Sequence, residues 1–342
     1  MEFRLSQDQK DLVEGAAAFF AGECPPAVLR RLEGGMCEEL WSKVAQMGFL
    51  GILAPEEVGG LGLDLIDLTL LVEQAGRVAL PLPVVENAGL AVPLLAQCGE
   101  SELLDKVMSG SGRVIVVHPA VPFVNHAEQA CAAIICKRER IGVLPAAALR
   151  LEKVNSIDPL RSLSRVSYDA WHGKEVLVGE AAGEMEKQVF TRAAVLTAAE
   201  LLGLAAGMIE MATEYAKTRE QFGKPIGSFQ ALKHHLANAF VKLEFARPVV
   251  YRAAALSPQT SKIDVAVAHA KLAAGDAACF AAETAIQVFG GMGYTYEADL
   301  HFWMKRVWAL QGLWGDRDFH TSRLERYVLA DGAALGPGQT FE

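Results

Sequence analysis

A chain of 342 residues is long enough for two or three compact domains, and 32 Lys and Arg against 41 Asp and Glu give a formal net charge of −9. That balance, with no basic cluster beyond the short run KRER at 137–140, argues against nucleic acid as a partner. The six cysteines form no CxxC pair and no zinc-spaced set with histidine, so no metal centre is expected.

The opening MEFRLSQDQKDLVEG has the character of neither a signal peptide nor a transit peptide. No apolar run reaches the roughly 18 residues of a membrane span. A cytoplasmic chain with free thiols and no membrane contact is expected. Residues 1–112 read mostly as helix. Ser6 is placed to cap the first one, ahead of Leu12, Ala16, Phe19 and Phe20. The segment LWSKVAQMGFLGI is amphipathic. The glycine-rich PEEVGGLGLD lacks the lysine and the strand–helix setting of a nucleotide loop. A further helix ends near Gly76, ahead of Pro81 and Pro83.

Between 113 and 182 the texture changes. RVIVVHP, AAIICKR, IGVLP, RLEKVNS, SRVSYDAW and KEVLVGE are short, rich in Val and Ile, and separated by Gly, Pro and charges. They predict a small antiparallel β-domain. From 183 to 342 long helices return. Phe190, Ala194, Thr197, Leu201, Leu204, Met208, Met211 and Tyr215 make one helical stripe. Helices are predicted over Phe229–Ala255, Lys262–Phe289 and Tyr296–Leu310, with a last one after Asp316. The fold class is mainly α with a small β-domain: an N-terminal helical domain, a short antiparallel β middle domain and a C-terminal four-helix bundle.

Two segments stand out chemically. In TREQFGKPIGSFQALKHHLA, Arg219 ends a long helix, Phe222 and Gly223 make a turn, and Gln230 opens the next helix. Turn chemistry alone accounts for the glycine and proline there. In QVFGGMGYTYEADL, Gly290, Gly291 and Gly293 close a helix for which one glycine would serve as C-cap. Three suggest that backbone comes close to a phosphate or another chain.

With these two segments and MGFLGILAPEEVGGLGLDLIDLTLLVEQAGRVALPLP, most of the chain resembles the acyl-CoA dehydrogenase family. The resemblance implies a bound FAD whose adenosine diphosphate part lies across a subunit interface. Carried over, Arg219, Phe222 and Gln230 contact FAD from one subunit, and Gln287, Gly290 and Gly291 close around its adenosine–pyrophosphate end. It further implies α,β-dehydrogenation of an acyl-CoA: a carboxylate removes the proton next to the thioester while hydride passes to the flavin.

Two departures bear on that chemistry. Trp314 stands where many members carry the catalytic glutamate. Asp316 is then either the site or the N-cap of the last helix. Glu200, in the otherwise apolar AAVLTAAELLGLAAGMI, shares a face with Leu196, Gly203 and Gly207. It is either catalytic or a buried acid paired with a cation. Arg192 is the candidate for the CoA pyrophosphate, with a free surface arginine as the other reading. The middle domain is short and lacks the Gly-Ser-Asp and Trp-Ile-Thr segments that cover the flavin ring. His118 and His126 stand there, either as contacts or as surface residues. The resemblance therefore implies a subunit of a heteromer, of the kind that acts on steroid side-chain or other bulky acyl-CoAs in lipid or steroid degradation. Its homologous partner would supply the base in an α₂β₂ tetramer, and a flavin electron acceptor would complete turnover. A self-sufficient homotetramer using Glu200 or Asp316, and a flavin-free assembly subunit of the same fold, are the alternatives.

Overall fold

The computed structural model describes residues 4–32, 35–169, 173–258, 260–330, 332–333 and 336. The first helices are α1 (Gln7–Glu23), α2 (Pro26–Arg31), α3 (Glu38–Gln46) and α4 (Leu65–Arg77). Ser6 does cap α1: its side chain accepts from Gln9 N, and Gln9 returns the bond to Ser6 N. A π-helical turn, Val85–Ala91, leads into α5 (Val92–Gln97), followed by α6 (Ser101–Met108).

The strands are β1 (Val114–Val117), β2 (Val124–Asn125), β3 (Ala132–Lys137), β4 (Arg140–Pro145), β5 (Arg150–Val154), β6 (Leu163–Ser167) and β7 (Lys174–Val178). They form a four-stranded sheet in the order β1-β3-β4-β7 and a three-stranded sheet in the order β2-β6-β5. All six predicted strand segments are present, and β2 is an addition too short for periodicity to reveal. The sheets are not wholly antiparallel as expected: β1 pairs with β3 in parallel, Val114 opposite Ala132. The loop carrying β2 intervenes and returns the chain in the same direction, which a two-residue hairpin cannot do. Ala170 and Trp171, at the end of the predicted SRVSYDAW strand, lie outside the described residues.

The last part holds α7 (Glu180–Thr218), a short hairpin of β8 (Glu220–Gln221) and β9 (Lys224–Pro225), then α8 (Gln230–Ala255), α9 (Ile263–Phe289), α10 (Leu300–Gln311) and α11 (Arg317–Val328). Helix α7 packs against α4, α8, α9 and α10. The stripe from Phe190 to Met208 is buried, and Met211 and Tyr215 are half-buried near the helix end.

Gly76, Gly203 and Gly207 have a structural use. A Cβ on Gly76 would overlap the Glu200 carbonyl, and one on Gly203 or Gly207 would overlap backbone of α4. The small face around Glu200 thus admits a neighbouring helix. One continuous apolar core runs from α1 through β1 and β3 into the bundle, with a smaller cluster between the two sheets. The expectation that no segment is apolar enough to span a membrane needs correction. α7 and α9 carry 18-residue windows of mean hydropathy 1.6 and 1.3. In the fold 72% and 56% of those windows are buried, so their apolar side chains mainly build the bundle core.

Candidate functional site

Helix α7 ends at Thr218, and the backbone of Arg219 turns extended. The β8–β9 hairpin then places Phe222 at its tip with φ +54, 92% exposed. Arg219, Gln230 and Gln287 are also exposed, and the Arg219 guanidinium makes no hydrogen bond or ion pair among the described residues. The glycine segment follows α9 directly. Gly290 has φ +61, and a Cβ on Gly290 or Gly291 would meet nothing within 4 Å. The two segments lie together, because Tyr215 of α7 stacks on Phe289 of α9 with ring centroids 4.2 Å apart at 10°. One end of the bundle therefore presents an unpaired guanidinium, an exposed phenyl ring, two carboxamides and two open glycine backbones. That donor set fits a dinucleotide: planar donors for a diphosphate and unhindered backbone beside it.

The second region lies 19 residues back along α7, from Arg219 to Glu200, between α4, α7 and the turn that follows α10. A cavity of about 40 Å³ is lined there by Glu200, Trp314, Arg306, Glu86, Arg161 and His126, among others. Arg306 crosses it. Its Nη1 donates to Glu200 Oε1 at 3.0 Å and to the Leu80 carbonyl at 3.2 Å, and its Nε donates to Asp158. Arg306 is 4% exposed and Asp158 fully buried. Burial opposes the charge on Arg306, but the two carboxylates win and hold its pKa above the ordinary arginine value. Glu200 is thus an acid paired with a cation across the bundle.

Trp314, 6% exposed with φ +57, fills the position where a base was sought. Its ring meets His118 edge-on at 5.1 Å and Phe190 at 6.2 Å, and its carbonyl lies 3.0 Å from His320 Nε2. Lys271, buried on α9, donates to the carbonyls of Leu310 and Gln311 at 3.1 Å each and so secures the end of α10 ahead of this turn. Burial pushes the Lys271 ammonium down to about 7. Asp316 is the N-cap of α11, accepting from Phe319 N at 2.9 Å.

The surface readings of three residues do not survive. Arg192 is half-buried, with Nη1 donating to the Gly89 carbonyl at 3.4 Å, and burial takes its pKa down to about 10. His118 and His126 are 5% and 2% exposed. His118 Nδ1 accepts from Ala120 N, and its Nε2 lies 3.2 Å from the Glu186 carbonyl. His126 has φ +52. Both were misread because they sit in a loop that folds inward over α7 rather than outward. Sequence reading also missed Arg306, Asp158, Arg161 and Glu86. MKRVW placed Arg306 on a helix, but only the crossing with α7 brings it to Glu200. Glu86 is half-buried, and burial raises its pKa.

Family models for the N-terminal and C-terminal domains of acyl-CoA dehydrogenase match residues 6–111 and 184–329. The chain is 32% identical over 308 residues to acyl-CoA dehydrogenase IpdE2 of Mycobacterium tuberculosis, covering 88% of this chain and 91% of that protein. Among solved structures, a variant of the Tcur3481-Tcur3483 steroid ACAD superposes with TM-score 0.85 at 25% identity, over 96% of this chain and 99% of that one. The ChsE4-ChsE5 complex from Mycobacterium tuberculosis gives TM-score 0.84 at 23% identity, over 96% and 99% of the two chains, which speaks to the fold alone. With both terminal domains matched and a relative covered almost end to end, the chain belongs to the acyl-CoA dehydrogenase family of oxidoreductases.

Proposed function

We propose that this chain is the base-poor subunit of a heteromeric, FAD-dependent acyl-CoA dehydrogenase that performs α,β-dehydrogenation of an acyl-CoA thioester. The observation that carries this reading is the plugged cavity. A site for a drug-sized or acyl ligand needs roughly 300 Å³ or more, against about 40 Å³ here. Glu200 is held by Arg306, Trp314 occupies the base position, and Asp316 caps a helix. A carboxylate committed to an arginine is a poor proton acceptor. The homologous partner then supplies the base and the acyl cavity.

This chain's own contribution is the cradle at the bundle end. Arg219 neutralises the diphosphate, Phe222 packs against the adenosine, Gln230 and Gln287 hydrogen-bond it, and Gly290 and Gly291 let backbone approach. FAD, when bound, supplies hydride acceptance. Arg192, half-buried and without a carboxylate at hydrogen-bond distance among the described residues, is the candidate contact for the CoA pyrophosphate. The parts 1–112, 113–182 and 183–342 serve as helical wall, short β cover and assembly bundle of a cytoplasmic α₂β₂ tetramer. A steroid-type or otherwise bulky acyl-CoA and a flavin electron acceptor are the other partners. The relative's designation as an acyl-CoA dehydrogenase, and the paired chains in the steroid ACAD neighbour, support it.

The test is reconstitution. The chain alone is expected to show no acyl-CoA oxidation with a dye acceptor, and co-expression with its homologous subunit is expected to give a yellow, active complex. Turnover by the chain alone makes the homotetramer reading correct, and a colourless complex makes it an assembly subunit.

A further inference from the structure

The cavity beside Glu200 has a polar end that neither the ion plug nor the dinucleotide cradle uses. Asn125, His126 and Arg161 line it. His126 is 2% exposed, yet neither ring nitrogen has a hydrogen-bond partner, and Asn125 Oδ1 is likewise buried without one. Three orphaned polar atoms on two adjacent residues are unusual in an interior where nearly all such atoms are satisfied. Each costs about 1–3 kcal/mol if nothing fills the gap. Arg161 lines the same space, with no hydrogen bond or ion pair to any described residue. Asp158 and Glu200 are both paired with Arg306, and no described carboxylate lies at ion-pair distance from Arg161.

We propose that Arg161 and His126, with Asn125 at the edge, form a binding site for a single carboxylate group. The chemistry follows from the donor inventory. A guanidinium offers a planar fork matched to a carboxylate, and a neutral imidazole adds one N–H; the other imidazole nitrogen and Asn125 Oδ1 are acceptors, which a water beside the carboxylate would satisfy. Glu86, across the cavity, accepts from Asn125 Nδ2 at 3.5 Å, and burial raises its pKa against the pull of Arg161. Burial and then Arg306 disfavour the charge on Arg161, while Glu86, Asp158 and Glu200 favour it from a distance. The volume, about 40 Å³, admits a carboxylate head and little else. The backbone of His126, in the left-handed region at φ +52, holds the ring in place at a local cost.

The carboxylate has two sources, a small free acid or the carboxylate tip of a dicarboxylic acyl chain whose body lies in the partner's cavity, and direct binding separates them without turnover. The full chain, and its complex with the homologous subunit, would be titrated with acetate by calorimetry at constant ionic strength, with chloride as control. A second arm uses succinyl-CoA against acetyl-CoA. Saturable binding of acetate assigns a free acid, and selective binding of succinyl-CoA assigns the tail of an acyl group. Either supports the site, provided that Arg161→Gln weakens it by at least about tenfold, the size of one charge-assisted hydrogen bond. His126→Asn, which tolerates the left-handed backbone, should weaken it with the circular dichroism unchanged. No saturable binding in either arm, binding indifferent to both variants, or a crystal structure in acetate with only waters bridging these atoms, overturns the inference. None of these outcomes depends on which subunit carries the base.

Discussion

Arg306 Nη1 stands 3.0 Å from Glu200 Oε1, and the same guanidinium holds the fully buried Asp158 through Nε. One side chain of α10 thereby fastens α7 and the loop between β5 and β6 together. Of the two readings of Glu200 left open by sequence, the pairing favours the acid held by a cation, and it ties stability to the proposed division of labour between subunits.

Removing Arg306 should be costly. Arg306→Met leaves Asp158 and Glu200 as uncompensated buried acids, a loss of about 3–5 kcal/mol. Chemical denaturation of the isolated chain measures it. Adding Asp158→Asn should recover part of the loss, because fewer charges are then stranded. A single Arg306→Met variant as stable as the parent would mean that the triad is not formed.

Under the proposed assignment of the base to the partner, Glu200→Gln should leave the turnover of the reconstituted complex nearly unchanged. Turnover lost with FAD content and melting temperature retained would restore Glu200 as the base.

Asp316→Ala should cost about 1 kcal/mol through loss of the N-cap bond to Phe319 N, and Asp316→Asn much less. Neither should abolish dehydrogenation. The comparison of denaturation midpoints with steady-state rates separates a cap from a catalytic acid.

Arg219→Ala should strip flavin from the complex without unfolding the chain, because the side chain is exposed and has no ion pair among the described residues to lose. The readout is flavin absorbance per complex after gel filtration, with thermal melting as control. Retained flavin would move the diphosphate contact elsewhere.

Stability should fall in mild acid. Burial takes His126 from 6.5 down to about 4, so the unfolded chain binds protons more readily than the folded one between those values. The contribution is complete above pH 6.5 and is lost progressively as pH drops towards 4. It is on the order of 3 kcal/mol for this group. Denaturation midpoints at pH 7 and pH 5 should therefore differ, and His126→Asn should shrink the difference.

The sequence carried the architecture well where a local rule was enough. Ser6 announced a helix cap, the short Val- and Ile-rich segments announced strands, and the Phe190–Tyr215 stripe announced a bundle helix. The residues proposed for the dinucleotide could be singled out, because they fall in two short contiguous segments. The cavity was not. Glu86, Asp158, Arg161 and Arg306 come from four separate elements and carry no shared motif. His118 and His126 looked like loop residues because nothing local says which way a loop folds.

Local periodicity, capping and turn chemistry, which act over a few residues, thus determined the helices, most strands and the family signature. Only tertiary structure decided that the acid of α7 meets the arginine of α10, that the glycine face of α7 is spent on α4, and that Arg306 crosses the cavity beside Glu200. The reason is that burial and charge pairing depend on distance in space. Residues 106 positions apart in the chain, as Glu200 and Arg306 are, acquire their chemistry only when packing brings them within a hydrogen bond of each other.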